Sequence, residues 1–373
     1  MKIVSVFPDY PNEIKGNVCP FFVDYNDAIS KIEEVSNSGF VYVNLLGLID
    51  FLKCKKIIEL KSTEGQHYVA VNFIRIPKVR FLNYYLKRWL IKCGLKIFKR
   101  NFFSPDLIHA HTLVCAAAVK DFRGVNKLYT EHYSWFRDFK EYRYLRSDFL
   151  SIVHNPEFRS FGVSQFMAKE LSEIAKVNIN FFYNPVSFTS LSPRSFLGSG
   201  YSVALIGRLE KIKNFELSFK AVEYAAKYLN KNFKIHVVGN GSQINELQLL
   251  AESLDKRVNI IFYQTLSRAH TLNVLSSVDA LLVSSKIETF SLVTLEAGFS
   301  GIPVYSTKCG GPQEIITDST GVCVDEKVYI EEFPRFINMI DEGYFNSKLI
   351  SKSVAERFGF DVFLHKYEKI ILG

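Results

Sequence analysis

Residues 201–241 read YSVALIGRLEKIKNFELSFKAVEYAAKYLNKNFKIHVVGNG, and this stretch decides the fold. An apolar run at 201–206 stops at Gly207, a helical pattern fills 214–229, and a second strand-like run at 234–238, Lys-Ile-His-Val-Val, stops at Gly239. Two short buried runs joined by a helix of this length read as a strand, a crossover helix and a parallel strand. The alternation continues downstream, with helices over 242–254, 267–276 and 292–300 and strands over 258–262, 280–283 and 304–306. The spacing predicts a parallel, doubly wound α/β sheet.

Upstream the same pattern places strands at 3–7, 41–43, 107–110, 127–130 and 160–163. Ser, Pro and Gly cluster near 187–202, which marks a boundary between two halves. Two Rossmann-like domains facing a cleft follow. Ligands in open α/β sheets bind outside the carboxyl ends of the strands, so the loops after these strands are where chemistry is expected.

The length of 373 residues suits two domains, and 48% hydrophobic with 23% charged residues excludes disordered and collagenous chains. No apolar run approaches the roughly 18 residues of a spanning helix. The first apolar residues meet Pro8 and Asp9 too soon for a signal-peptide core and read as a first strand. The six cysteines are scattered without a C-x-x-C pair, which predicts a reduced, cytosolic protein. Charge is uneven: residues 1–195 carry 27 Lys+Arg against 18 Asp+Glu, the remainder 19 against 20. Between Glu64 and Asp106 there are nine cations and no acid.

Two segments carry the chemistry. Gly207, Arg208 and Lys213 follow a strand and lead into a helix, an arrangement suited to clamping a diphosphate. A solvated turn with surface cations is the other reading. In 284–298, Glu288 lies in the loop after a strand and Glu296 two turns into the next helix, which Thr289 or Ser291 can cap. Such carboxylates accept hydrogen bonds from sugar or ribose hydroxyls; a buried carboxylate capping a neighbouring loop is the other reading of Glu296.

The pair Glu288/Glu296, the G-R-L-x-x-x-K-N segment at 207–214, and Cys309-Gly310-Gly311-Pro312-Gln313-Glu314-Ile315-Ile316 together resemble the retaining glycosyltransferases of family 4. Further matches are Val238-Gly239-Asn240-Gly241, Asn184-Pro185-Val186, His109-Ala110-His111, Thr130-Glu131-His132, and Phe7-Pro8-Asp9-Tyr10-Pro11 followed by Gly16. The resemblance implies the GT-B fold: two Rossmann-like domains with parallel sheets facing a central cleft. The acceptor-binding domain would span 1–190 with a crossing helix at about 357–373, and the donor-binding domain 191–356. It implies a UDP- or GDP-sugar donor whose diphosphate meets Arg208, Lys213, Gly16 and the backbone of Phe290, Ser291 and Leu292. Glu296 would bind the ribose and Glu288 lie near the donor sugar as a catalytic residue. Gly239, Gly241, Thr265 and Leu266 would form the nucleotide loop. His111 is the candidate catalytic contact to the reacting sugar, with His109 an equal alternative and a structural histidine a third. His109, Glu131 and His132 fall on the acceptor side.

The chain has no Asp-x-Asp triplet, so no metal and no cofactor are expected, with cations and helix dipoles stabilising the leaving group instead. The chain departs from the family pattern at Ser291 and at Tyr263-Gln264, where the family often has Gly.

Residues 80–103 place Leu82, Leu86, Leu90, Cys93 and Ile97 on one helical stripe and Arg88, Lys92, Lys96 and Lys99 on another. This basic amphipathic region suits an anionic membrane surface, or else an ordinary domain helix. No nucleic-acid recognition motif accompanies it. The expected function is transfer of a sugar to a glycan or polyprenyl-linked acceptor in bacterial surface-polysaccharide synthesis, at the cytoplasmic face of the inner membrane. The alternatives are a sugar-nucleotide epimerase of similar fold and an inactive nucleotide-binding subunit.

Overall fold

The computed structural model describes residues 1–10, 21–54, 56–63, 66–186, 200–264 and 267–373. Gly16, Thr265 and Leu266, and most of the expected boundary near 187–202, lie outside the described residues. The chain forms two compact units, Met1–Val186 with Phe360–Gly373, and Ser187–Gly359.

The first unit runs β1 (Lys2–Phe7), α1 (Phe21–Ser30), β2 (Asn37–Leu46), α2 (Leu48–Leu52), β3 (Ile58–Thr63), β4 (Gln66–Ile74), α3 (Arg80–Asn101), β5 (Leu107–His111), α4 (Leu113–Val119), β6 (Asn126–Glu131), a 3-10 turn (Ser134–Lys140), α5 (Arg143–Val153), β7 (Phe158–Gly162), α6 (Gln165–Ala175) and β8 (Asn180–Phe181). The strands form one sheet in the order β3-β4-β2-β1-β5-β6-β7-β8. Pairing is parallel throughout except for the antiparallel β3–β4 hairpin. Each expected strand overlaps an observed one, but the hairpin was not expected. Its outer strand is an edge whose Ile58 and Leu60 remain exposed between Glu59 and Lys61, so it lacks the buried apolar run that marks its neighbours.

The second unit runs β9 (Gly200–Ile206), α7 (Phe215–Leu229), β10 (Asn232–Val238), α8 (Ile244–Glu252), β11 (Val258–Tyr263), α9 (Arg268–Ser276), β12 (Ala280–Val283), α10 (Leu292–Phe299), β13 (Val304–Thr307), α11 (Pro312–Ile315), β14 (Gly321–Val324), α12 (Tyr329–Asp341) and α13 (Ser347–Phe358). Its sheet is wholly parallel in the order β11-β10-β9-β12-β13-β14. That is the doubly wound Rossmann order, with β9 at the point where the winding reverses. The core fills the spaces between layers: Val203, Leu205, Ile235 and Val237 from the strands meet Phe219, Val222 and Phe333 from the helices, all fully or nearly fully buried. The last helix, α14 (Phe360–Leu372), belongs to the first unit and buries Phe363, Tyr367 and Ile371 there.

The helix expected at 80–103 forms, but its buried core face shares only Leu90 with the predicted stripe, and Leu86, Cys93 and Ile97 are half-buried. Leu90, Ile91, Gly94, Leu95 and Phe98 are buried, whereas Leu82 is 47% exposed. Nor is the basic stripe free. Arg88 pairs with Asp148 at 3.1 Å, Lys92 with Asp121 at 2.5 Å, and Lys87 with Asp9 at 3.0 Å. Part of the partner for this acid-free stretch is therefore internal, supplied by carboxylates distant in sequence.

Candidate active site

In the second unit, loops after β9, β10, β12 and β13 meet at the carboxyl edge of the sheet. Gly207, directly after β9, has φ +153°, and Gly239, directly after β10, has φ +147°. A Cβ on Gly239 would stand 1.8 Å from the carbonyl oxygen of Gly207, so only glycine permits this approach. Backbone bonds lock the two loops: Gly207 N–H donates to Val238 O at 3.0 Å and Leu209 N–H to Asn240 O at 3.0 Å. Gly239 and Gly241 thus act here by seating the β9 loop that carries Arg208 and Lys213.

Lys213 Nζ donates to Glu288 Oε1 at 2.6 Å, and Ser285 Oγ donates to the same oxygen at 2.7 Å. Lys213 and Glu288 are mostly buried, while Arg208 is exposed. The β12 loop is tied down on both sides. Lys286 N–H donates to Ile212 O, Glu288 N–H to Cys309 O, and Gly311 N–H to Glu288 O, at 2.8 to 2.9 Å. A Cβ on Gly311 would lie 2.4 Å from the Phe290 backbone, which gives the Gly310-Gly311 pair a steric reason. Burial, with the Glu288 carboxylate adding to it, pushes the Cys309 thiol up to about 11.

Ser291 occupies the N-cap position of α10 in the left-handed region, φ +76°, without capping the helix by its side chain. Its Oγ bonds Thr294 Oγ1 at 2.8 Å instead. The expected side-chain cap is therefore corrected, and the unused N–H groups of the first helical turn stay with the loop. Phe290 is buried beside it and Leu292 half-buried. Glu296 stands one turn into α10 rather than two, because the helix begins at Leu292, and it pairs with Arg268 of α9 at 3.3 Å.

In the first unit His109, His111, Glu131 and His132 are all buried. His109 engages both ring nitrogens, Nδ1 with Tyr367 Oη and Nε2 with Thr130 Oγ1, each at 2.8 Å. His111 Nδ1 meets His132 Nε2 at 3.0 Å inside a cage of Phe7, Phe22 and Tyr25, and its Nε2 has no partner among the described residues. Burial pushes His109 and His111 well below the ordinary imidazole range, and His132 down to about 3. At neutral pH the cluster is uncharged. Glu131 accepts from Leu113 N–H, Tyr129 Oη, His132 N–H and Tyr133 N–H at 2.6 to 2.9 Å. Desolvation outweighs these bonds and raises its carboxyl to about 7. This carboxylate fastens the end of β6 to the start of α4.

Two family models match the chain, "Glycosyltransferase Family 4" over residues 58–189 and "Glycosyl transferases group 1" over residues 196–343. The chain belongs to glycosyltransferase family 4. The lipopolysaccharide 1,6-galactosyltransferase of Escherichia coli is 31% identical over 164 residues, which are 42% of this chain and 44% of that protein. The chain spans less than half the length of the first curated relatives it matches. Among solved structures, a lipopolysaccharide outer core galactosyltransferase in its apo form superposes with a TM-score of 0.70 at 18% identity, covering 100% of this chain and 99% of that one. An Anabaena family-fold protein, HepE, in complex with UDP and glucose superposes with a TM-score of 0.68 at 14% identity, covering 100% of both chains. The fold is GT-B.

Within this family framework the second unit gathers Arg208, Lys213, Glu288, Phe290, Ser291 and Leu292 on loops bonded to one another, with Glu296 and Arg268 on the adjoining helices α10 and α9. His109, His111, Glu131 and His132 form a separate cluster in the first unit. Ser285 and Arg268 were not singled out in the sequence, where each is an ordinary polar residue; only the fold sets them against the two glutamates.

Proposed function

We propose that the chain is a retaining, metal-independent transferase that moves a sugar from a UDP- or GDP-sugar to a hydroxyl of a glycan or polyprenyl-linked acceptor in bacterial surface-polysaccharide synthesis. The observation that carries this reading is the Lys213–Glu288 pair at 2.6 Å, held at the carboxyl edge of a Rossmann-ordered sheet. A lysine with one donor on Glu288 keeps two for phosphate oxygens, and Arg208 adds a second, exposed cation five residues earlier. As the bond from the anomeric carbon to the diphosphate breaks, negative charge grows on the leaving oxygen. Fixed cations there supply several kcal/mol of transition-state stabilisation without a metal. The acceptor oxygen attacks the oxocarbenium-like carbon from the face the diphosphate leaves, and its proton passes to the departing phosphate. Glu296, beside Arg268, suits the ribose hydroxyls.

Water serves as a slow acceptor in the test. Proton NMR of the first sugar released from a UDP- or GDP-α-hexose, with chelator present, should show the α-anomer before mutarotation. Initial release of the β-anomer would sink the retaining mechanism.

We also propose that the first unit docks on the cytoplasmic face of the membrane. Leu82, Tyr85 and Trp89, spaced i, i+3 and i+7 on one face of α3, expose 39 to 58% of their surface, and Leu48, Ile49 and Leu52 of α2 expose 60 to 75%. No helix among the described residues is long and apolar enough to cross a membrane.

A further inference from the structure

The first unit holds a cavity of about 930 Å³. Its lining follows the carboxyl ends of neighbouring strands: Pro8 and Asp9 after β1, Arg75 and Ile76 after β4, Thr112 after β5 and Tyr133 after β6. This is the edge at which a doubly wound sheet takes its ligand. The remaining walls come from the start of α3 and from Trp135, Tyr142 and Tyr144.

The charge of the lining is one-sided. Arg75, Lys78, Arg80 and Lys87 face the cavity against a single carboxylate, Asp9, which Lys87 neutralises at 3.0 Å. Arg80 lies over the Tyr142 ring at 5.7 Å and reaches its hydroxyl at 3.4 Å. Arg75 and Lys78 are exposed and have no carboxylate partner among the described residues. The aromatic side is preassembled, since Tyr144 packs against Phe81 and Tyr84 at 5.1 and 5.2 Å. Flat rings with hydroxyl edges suit the apolar faces and hydroxyls of a sugar ring better than they suit an acyl chain. The backbone is strained at two lining positions. Lys78 has φ +60°, and Thr112 has φ +82° with ψ 158°, a region almost reserved for glycine. Such residues persist where the surrounding structure over-determines them, and they gather at ligand clamps.

We propose that this cavity binds a phosphate-bearing saccharide as the acceptor, with Arg75 and Lys78 on the phosphoryl oxygens, Arg80 beside them, and Trp135, Tyr142 and Tyr144 against the sugar ring. The assignment rests on the transferase reading above. The phosphate belongs either to a soluble phosphorylated glycan or to the link of a lipid-borne one; the recognised chemistry is the same.

The chain has two tryptophans, Trp89 and Trp135, and only Trp135 lines the cavity, so a Trp89→Phe background leaves it as the sole fluorophore, with vesicle sedimentation of this background and the wild type compared to show that membrane attachment is unchanged. In that background three probes are titrated against glucose: glucose 6-phosphate, phosphatidylcholine vesicles carrying polyprenyl-phosphate-linked glucose, and phosphatidylglycerol vesicles. Saturable change with one or both sugar phosphates, absent with glucose and weakened about tenfold or more by Arg75→Ala/Lys78→Ala, is the expected result. The first two probes separate the soluble from the lipid-borne source. Equal response to glucose and its phosphate, response only to phosphatidylglycerol, silence from all, or indifference to the double substitution would overturn the proposal. UDP and GDP binding are measured on the same samples. If a nucleotide binds and sugar phosphate does not, the acceptor assignment fails alone; if no nucleotide binds, the donor reading fails separately.

Discussion

Ser291 is a serine in a conformation that favours glycine, φ +76°, and the loop it belongs to is the one that carries Glu288. Left-handed backbone costs a non-glycine residue about 1–2 kcal/mol, while glycine loses about 0.5–1 kcal/mol more backbone freedom on folding. The two effects nearly cancel, and the Oγ bond to Thr294 is lost as well. Ser291→Gly should therefore leave stability within about 0.5 kcal/mol, whereas Ser291→Val, branched at Cβ, should cost about 1–3 kcal/mol in denaturant unfolding. A tolerated valine would mean that the loop does not hold this geometry. The departure from glycine at this position was visible in the sequence as a break in a motif; its backbone meaning was not, because nothing in one sequence states a dihedral.

At the scale of elements, α3 shows what periodicity reads and what it misses. Two apolar stripes fit the sequence of this helix, one through Leu82, Leu86 and Leu90 and one through Ile91, Leu95 and Phe98, and the fold buries the second together with Leu90 alone of the first. The choice is made by β2 and β4, which the helix packs on, and the β3–β4 hairpin went unforeseen. Leu95→Ala, at a position 3% exposed, should cost about 2–5 kcal/mol, and Leu82→Ala less than about 0.5 kcal/mol. Comparable losses from both, measured by chemical denaturation, would contradict the assigned core face. By contrast five of the six strands of the second unit were legible to within a residue or two: β12 is a short apolar run buried throughout, and β10 alternates buried Phe233, Ile235 and Val237 with Lys234 and His236, whereas the short β14 was not foreseen. The clamp was legible as a motif, but Lys213 and Glu288 are 75 residues apart, so their ion pair was not. The internal partners of the basic stretch were hidden for the same reason, since Asp148 and Asp121 reach Arg88 and Lys92 from 60 and 29 residues away.

At the scale of the whole molecule, the buried imidazoles set how folding responds to acid. His109, His111 and His132 bind their protons far more weakly when folded, so their contribution is present above the unfolded value near 6.5 and is lost as pH falls below it. Glu131 acts oppositely. Its folded value of about 7 lies above the unfolded value of 4.5, so its contribution is present at low pH and is lost as pH rises toward 7. Three imidazoles outnumber one carboxyl between pH 5 and 6.5, so stability should fall on acidification by at least about 1.4 kcal/mol per pH unit. A denaturation series flat or rising from pH 6.5 to pH 5 would contradict the neutral cluster.

The central claim is a donor site that holds a nucleoside diphosphate through Arg208 and Lys213 without a metal. The most direct measurement is the Tm of the full chain with UDP or GDP in excess chelator, for the wild type, Arg208→Ala and Lys213→Met. One nucleotide at about 100 times its Kd should stabilise the wild type by about 2.7 kcal/mol, and the shift should shrink sharply in both variants. No shift with either nucleotide, a shift that returns only with a divalent metal, or equal shifts in all three proteins would contradict the account.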